Sequence, residues 1–424
     1  MDDNSKNEDL EKLIREMLES GGIDPSALAK AAGISATPAS LAQAFGQFRS
    51  MMQSDGESVN WEIASKQAGE IAGKGQLDAS SALQKETQTA YEMARLWLGE
   101  ETNFDTSYPH KNLTRKLWVA DALPLYKELS EPIAASMAKA LGENLGNLIP
   151  EQFAEMLGAA TKFLGNAGAT IFAMQLGQAA GKLSTEVLSS SEVGIPLSNR
   201  PGLILQNVEH FLSEIETPKS EVLLYLCIRE LAVVSLFNSN SWLSEALITQ
   251  IREFASGLKV DTTEIENLAE GLDLSNPDAI REMMEAGSLV SQRTPEQQVA
   301  LARIETLLAL TEGWADSVAF RAARRLPSQA AISELFRRRR ATQGALEKTF
   351  ALLLGLELKP RLLRESAKMW QTVFDQLGTA GQDALWSHPD QLPSVEEIQD
   401  PSILLSRLQA GGDDLDREIR DLLG

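Results

Sequence analysis

The chain has one cysteine, Cys227, and three histidines, His110, His210 and His388, in 424 residues. A lone cysteine excludes an internal disulfide framework and a cysteine-rich metal site, and it suits a reducing compartment. Basic residues are scarce as well. The 39 lysines and arginines face 60 acidic residues, a formal charge of −21. That balance argues against a chain built to wrap nucleic acid. Prolines number only 16 while apolar residues reach 43%, which excludes a mainly disordered or collagen-like protein. A membrane-length apolar run is also missing. The longest, residues 222–237, spans 16 positions and carries Arg229 and Glu230 at its centre, where a span needs roughly 20 residues with few charges. The first residues, MDDNSKNEDLEKLIREMLES, lack the basic and apolar regions of a secretory signal. These absences predict a soluble cytoplasmic protein with no membrane partner.

What the chain does have is helical periodicity. Residues 61–77, 83–98, 132–141 and 262–270 place apolar side chains at three- and four-residue intervals. Alternating strand patterns with hairpin dipeptides are few, no heptad is sustained, and no repeat recurs at a fixed period. The expectation is an all-α, irregular multi-helix domain. Residues 57–389 read as one body, flanked by an acidic N-terminal appendage with short helices (1–56). An acidic C-terminal tail (390–424) follows, with a final helix at 413–423. Loops are expected at Gly194–Ile195–Pro196, at Pro201–Gly202 and at Asn276–Pro277.

Three segments invite a functional reading that their chemistry does not support. Residues 23–45 suggest a helix-turn-helix, yet Lys30 is their only basic residue, and a DNA reader needs cations for phosphates. Gly177 and Gly181, four apart, have no Lys–Ser/Thr pair after them. They suit close helix packing better than a phosphate loop. Residues 318–365 hold 11 basic and 4 acidic residues, including Arg321, Arg324, Arg325 and Arg337 to Arg340. The patch could meet an RNA or an acidic partner. Aromatic interleaving is confined to Phe320 and Phe336, so pairing with the chain's own surplus carboxylates is the expected role.

The informative element is the apolar run itself. Charged side chains such as Arg229 and Glu230 are costly in such surroundings unless each finds a partner. Thr311–Glu312–Gly313–Trp314–Ala315–Asp316 again sets carboxylates among apolar residues. A polar centre linking the two segments would satisfy both, either as a structural ion-pair network or as an active site or its remnant.

At these residues the chain resembles an actinobacterial family of zinc-dependent metalloproteases. A sister branch of that family is associated with deazaflavin coenzyme biosynthesis. The resemblance runs from about residue 61 to 401. It rests on IFAMQLGQAAGKLSTEVL (171–188), VGIPL (193–197), LLYLCIRELAVVSLF (223–237), SWL (241–243), EGWAD (312–316), FRRRRATQGALEKTFALLLGLELKPRLLRE (336–365) and ALWSHPDQLP (384–393). It implies a gluzincin-like scaffold in which a His-Glu-x-x-His helix holds zinc, the glutamate acts as general base, and a downstream acid completes the metal shell. By position, the two histidines fall on Arg229 and Val233 and the base on Glu230. The third ligand falls on Glu312, Asp316 stands as its support, and His388 lies in a shared C-terminal block.

The chain departs from that pattern where it matters. Arginine offers no lone pair and valine no ligand atom, so no zinc is expected and Glu230 would be vestigial. His110 and His210 lie in polar, exposed-looking contexts. The resulting expectation is a metalloprotease-like protein without zinc chemistry, acting through an unidentified protein or peptide partner. The competing one is a hydrolase with a non-standard metal site, or with metal-free chemistry at Glu230, Glu312 and Asp316. Arg229 is expected to reach Glu312, or Asp316 if the helices are rotated, with Val233 filling the rest of the pocket. The bland alternative points Arg229 away toward solvent or another acid.

Overall fold

Thirteen apolar residues in the sixteen of 222–237 leave no polar stripe, so a helix there must be surrounded on all sides. The computed structural model describes residues 61–148, 172–256, 294–341, 344, 348 and 362–410. In it, helix α5 (Lys219–Ser239) buries every residue from Val222 to Phe237. Pro218 precedes it, where a missing N–H costs nothing, and Asn240 ends it. The expectations for residues 1–56, 262–270, 276–277 and 413–423 lie outside the described residues.

The chain divides into two compact units, one of residues 1–59, 134–170 and 258–293, the other of residues 60–133, 171–257 and 294–424. The elements that position the candidate site belong to the second. They begin with α1 (Trp61–Gly73), α2 (Ser81–Leu98), strand β1 (Lys111–Leu113) and α3 (Arg115–Leu148), whose residues from 134 on are counted in the first unit. After a helical stretch at 172–183 come β2 (Gly202–Ile204), α4 (Leu205–Ser213), α5 and α6 (Trp242–Ser256). Helices α7 (Pro295–Ala322), α8 (Gln329–Ala341), α9 (Leu363–Ala384) and α10 (Val395–Gln399) follow, with a further helical stretch at 401–410. The fold is all-α apart from a parallel ladder of β1 on β2 in the register Lys111↔Gly202, Asn112↔Leu203 and Leu113↔Ile204. No described helix is long and apolar enough to cross a membrane.

Two long helices frame the core. Helix α5 packs on α2 and on α7, and α7 packs also on α6 and α9. A capping box between Thr294 and Gln297, with Pro295 in the first turn, starts α7 and satisfies donors that a helix N-terminus otherwise leaves orphaned. Past residue 390, Ile398 and Leu404 are buried, and Arg407 holds Glu397 at 2.6 Å.

Gly177 and Gly181 sit where the 172–183 helix meets α1. A Cβ on Gly177 would lie 2.5 Å from the Ala64 carbonyl oxygen, and one on Gly181 would lie 2.8 Å from the Ile71 Cβ. The small residues therefore serve close helix approach, as their spacing suggests. Alanine is a better helix former than glycine by up to about 1 kcal/mol, but here it meets backbone that no rotamer change can move. Gly177→Ala is expected to destabilise by about 1–2 kcal/mol net, since overpacking costs about 1–3 kcal/mol. A chemical denaturation midpoint equal to or above that of the unaltered protein would show the contact to be softer than drawn.

Candidate functional site

Successive residues of a helix are set about 100° apart around its axis, so Arg229 and Glu230 cannot serve one face of α5. Arg229 turns toward α7 and α8, Glu230 toward the loop before β2. The two charges have separate partners, and the adjacent pair in the sequence makes no ion pair.

Arg229 is 5% exposed, and its Nη2 donates to Glu312 Oε2. The same oxygen accepts from Arg340 Nη1 at 2.6 Å. Arg340 Nη2 reaches Asp316 Oδ1 at 2.9 Å, and Asp316 Oδ2 accepts from Arg337 Nε at 2.9 Å. The outcome is a ladder of three guanidiniums and two carboxylates. Glu312 and Asp316, one turn apart on α7, form its acidic rail. Burial opposes the charge on Arg340, but Glu312 and Asp316 more than reverse that and raise its pKa.

The neighbours of the rail explain the rest of the Glu312–Asp316 block. A Cβ on Gly313 would fall 2.6 Å from the Ser366 Cβ, so glycine lets α9 cross here. Trp314 meets the half-buried Phe104 and the buried Trp386, and Trp386 in turn stacks on Trp370 with ring centroids 5.2 Å apart. Tyr225, on α5, stacks on Phe336 of α8 at 5.5 Å. Burial first, and then the charge of Asp316, push its phenol up to about 12.

Glu230 is held elsewhere. Its Oε1 accepts from Ser190 Oγ at 2.5 Å and from the Gly202 amide at 3.1 Å. Its Oε2 accepts from the Ser191 amide at 3.3 Å and from the Ser191 hydroxyl. Four donors thus close on one carboxylate that is 1% exposed. Cys227 lies one turn back on the same helix, where burial and then the Glu230 charge raise its thiol pKa. That keeps the sulfur protonated and a poor nucleophile.

The remaining positions separate. Val233 is buried but does not line the cleft beside Arg229, whose apolar wall comes from Leu188, Leu226 and Phe336. The expected plug is therefore supplied by other residues, because position 233 lies a full turn beyond the guanidinium. His388 is not brought to this centre. Its side chain is exposed, and Nδ1 accepts from the Asp390 amide at 3.2 Å, closing its own turn. His210 pairs loosely with Glu214 at the surface. His110 corrects the expectation of an exposed side chain: it is half-buried and stacks on Tyr91 at 4.6 Å. Burial, with Arg95 and Arg200 nearby, lowers its pKa.

Arg321, Arg324, Arg325 and Arg337 to Arg340 each meet a carboxylate of the same chain. Arg321 binds Glu101 at 3.0 Å while its guanidinium lies over Phe374, and Arg324 reaches Glu100 and Glu101. Arg325 holds Glu100, Arg338 holds Glu334 and Arg339 holds Glu192. With Arg337 and Arg340 on the acidic rail, these seven arginines are paired, and the missing signal was mostly spatial: the acids come from the turn after α2, from α7, from α8 itself and from the 186–192 loop.

The donor set does not fit zinc. A guanidinium has no lone pair to give, valine has no ligand atom, and Glu312 already accepts from two arginines. Among the described residues, no three of His, Cys, Asp and Glu gather as a metal-holding group.

The profile of the zincin-like metallopeptidase family matches residues 59–404. No curated protein matches the chain. A crystal structure from Chloroflexus aurantiacus, described as a candidate hydrolase with a novel fold, superposes with a TM-score of 0.54 at 18% identity. The superposition covers 83% of this chain and 99% of that one. At that identity the likeness speaks to fold alone. The family profile takes in α5 with Arg229, Glu230 and Val233, and α7 with Glu312, and on that extent the chain belongs to the zincin-like metallopeptidase family.

Proposed function

We propose that this protein is a zincin-like family member that has exchanged zinc peptidase chemistry for a binding or structural role, with a protein or peptide as its cytoplasmic partner. The observation that carries this reading is the occupancy of Glu312 by Arg229 and Arg340. In the actinobacterial zinc-dependent branch that the chain resembles, position 229 would hold the first histidine. Here it supplies a permanent cation beside the same acid, so the carboxylate keeps a counter-charge without a metal. The competing hydrolase reading needs Glu230, Glu312 or Asp316 free to take a proton from water. Each is already engaged, Glu230 by four donors and the other two by arginines. Nucleic acid is a poor partner for this chain, because Arg321, Arg324, Arg325 and Arg337 to Arg340 spend their charge internally.

Elemental analysis of the protein purified without added metal tests the reading. The expected zinc content is far below one equivalent, and stoichiometric zinc would overturn the proposal. A variant carrying both Arg229→His and Val233→His is expected to acquire zinc, with Glu312 released by Arg340 as third ligand. A folded double variant that ignores zinc would break the assignment of family positions to these residues.

A further inference from the structure

Residues 108–110 are held by two cations. Arg95, on α2, donates from Nη2 to the Tyr108 carbonyl at 2.7 Å. Arg200 donates from Nε to the Pro109 carbonyl at 3.0 Å and from Nη2 to the His110 carbonyl at 3.1 Å. Three consecutive carbonyls thus rest on two guanidiniums. The last side chain of the segment, His110, lies along the buried Tyr91 ring with the two planes 14° apart. Strand β1 follows at once, and its first amide, that of Lys111, donates to the Pro201 carbonyl at 2.8 Å.

The charges that act on the imidazole come from α2, as Arg95 and Glu92, and from the loop before β2, as Arg200. Glu230 and Cys227 of α5 act on the Tyr91 phenol, which burial keeps neutral. Lys111, next in the chain, is paired with Asp121 at 3.3 Å. Glu92 is the acid that favours a charged imidazole, and it is exposed and already accepts from Gln88 at 3.1 Å. The face of Tyr91 would also welcome a cation. Half-burial and two fixed guanidiniums oppose one, and together they lower the imidazole pKa. The neutral ring is therefore the folded form. As pH falls below the ordinary imidazole value of about 6.5, the unfolded segment takes a proton that the folded one resists. Stability present above that pH is lost below it.

We infer that His110 is an acid-sensitive latch: a proton on its imidazole sets a third cation beside Arg95 and Arg200 and releases residues 108–113 from α2 and from β2. Acid then loosens the β1–β2 ladder before the helical core, and with it the Gly202 amide that helps to seat Glu230. The latch is independent of the zinc question, since His110 touches none of Arg229, Val233 and Glu312.

Hydrogen exchange of the full-length protein at about pH 7.5 and about pH 5.5, corrected for the intrinsic pH dependence of exchange, tests the latch. Protection across residues 108–113 and 202–204 is expected to fall at least about fivefold at the lower pH, while α7 from Leu308 to Val318 keeps its own. His110→Phe preserves a ring on Tyr91 and cannot take a proton, so its protection should be the same at both pH values. Glu92→Gln removes the opposing acid from an exposed position and should enlarge the loss about twofold. A merely structural role for the ring would produce neither the flat profile nor the enlarged one. Should His110→Phe fail to fold, Glu92→Gln decides alone, and a loss no greater than in the unaltered protein would overturn the inference. Equal protection at both pH values in the unaltered protein would overturn it too. So would an undiminished loss in His110→Phe, or a loss that reaches α7 to the same extent.

Discussion

Arg229→Ala is expected to destabilise the protein by about 3–5 kcal/mol, the usual cost of breaking a buried ion pair from one side. The side chains of Arg229 and Glu312 are each only 6% exposed, so solvent does little to screen the loss. Arg340 stays on Glu312 and places the expectation at the lower end of that range. The pair as a whole need not stabilise the fold, because two desolvated charges recover only part of what their burial costs. Arg229→Met combined with Glu312→Gln should therefore regain much of what the single change loses. Denaturant unfolding followed by circular dichroism reads both variants. An alanine variant within about 1 kcal/mol of the unaltered protein would mean that the guanidinium is not needed to balance the acid.

Glu230→Ala should cost a similar amount for a different reason. It leaves two hydroxyls and two amides without their acceptor. The Ser190 and Ser191 hydroxyls can rotate toward other partners, whereas the Ser191 and Gly202 amides cannot. At about 1–3 kcal/mol for each donor left unsatisfied, a loss of about 3–4 kcal/mol is expected. Glu230→Gln keeps one acceptor oxygen and should lose roughly half as much. A residue kept for proton transfer would behave otherwise, changing a reaction rate while the denaturation midpoint stayed in place. An unaltered midpoint in the alanine variant would refute the structural role.

The sequence reads well wherever one principle governs a residue. Residues 222–237 had to be a surrounded helix because they offer no polar stripe, and Arg229 had to find an acid because burial leaves it no alternative. Glu312, among apolar neighbours on a second helix, was the acid to expect. Arg340 and Arg337 were harder. They read as members of a surface patch, and nothing local shows that α8 folds back to lay two of its four consecutive arginines along α7. Glu230 was misleading for a geometric reason: a motif places neighbours side by side in text, whereas a helix turns them about 100° apart. Its partners Ser190 and Ser191 lie in a loop with no periodicity to announce them. His110 was missed because its stacking partner, Tyr91, belongs to another element. In each case the missing information was a contact between distant segments.

The seat of Glu230 also has a consequence for the order of folding. Its donors come from the loop before β2 and from Gly202, whose strand pairs with β1 from far back in the sequence. Closing a long loop costs entropy before the contacts it makes can compensate. The Gly202 donor is in place only once β2 has met β1, so the seat of Glu230 is expected to be completed on the late side of the barrier. Removing it should accelerate unfolding far more than it slows folding, so the carboxylate acts chiefly as a latch on the lifetime of the native state.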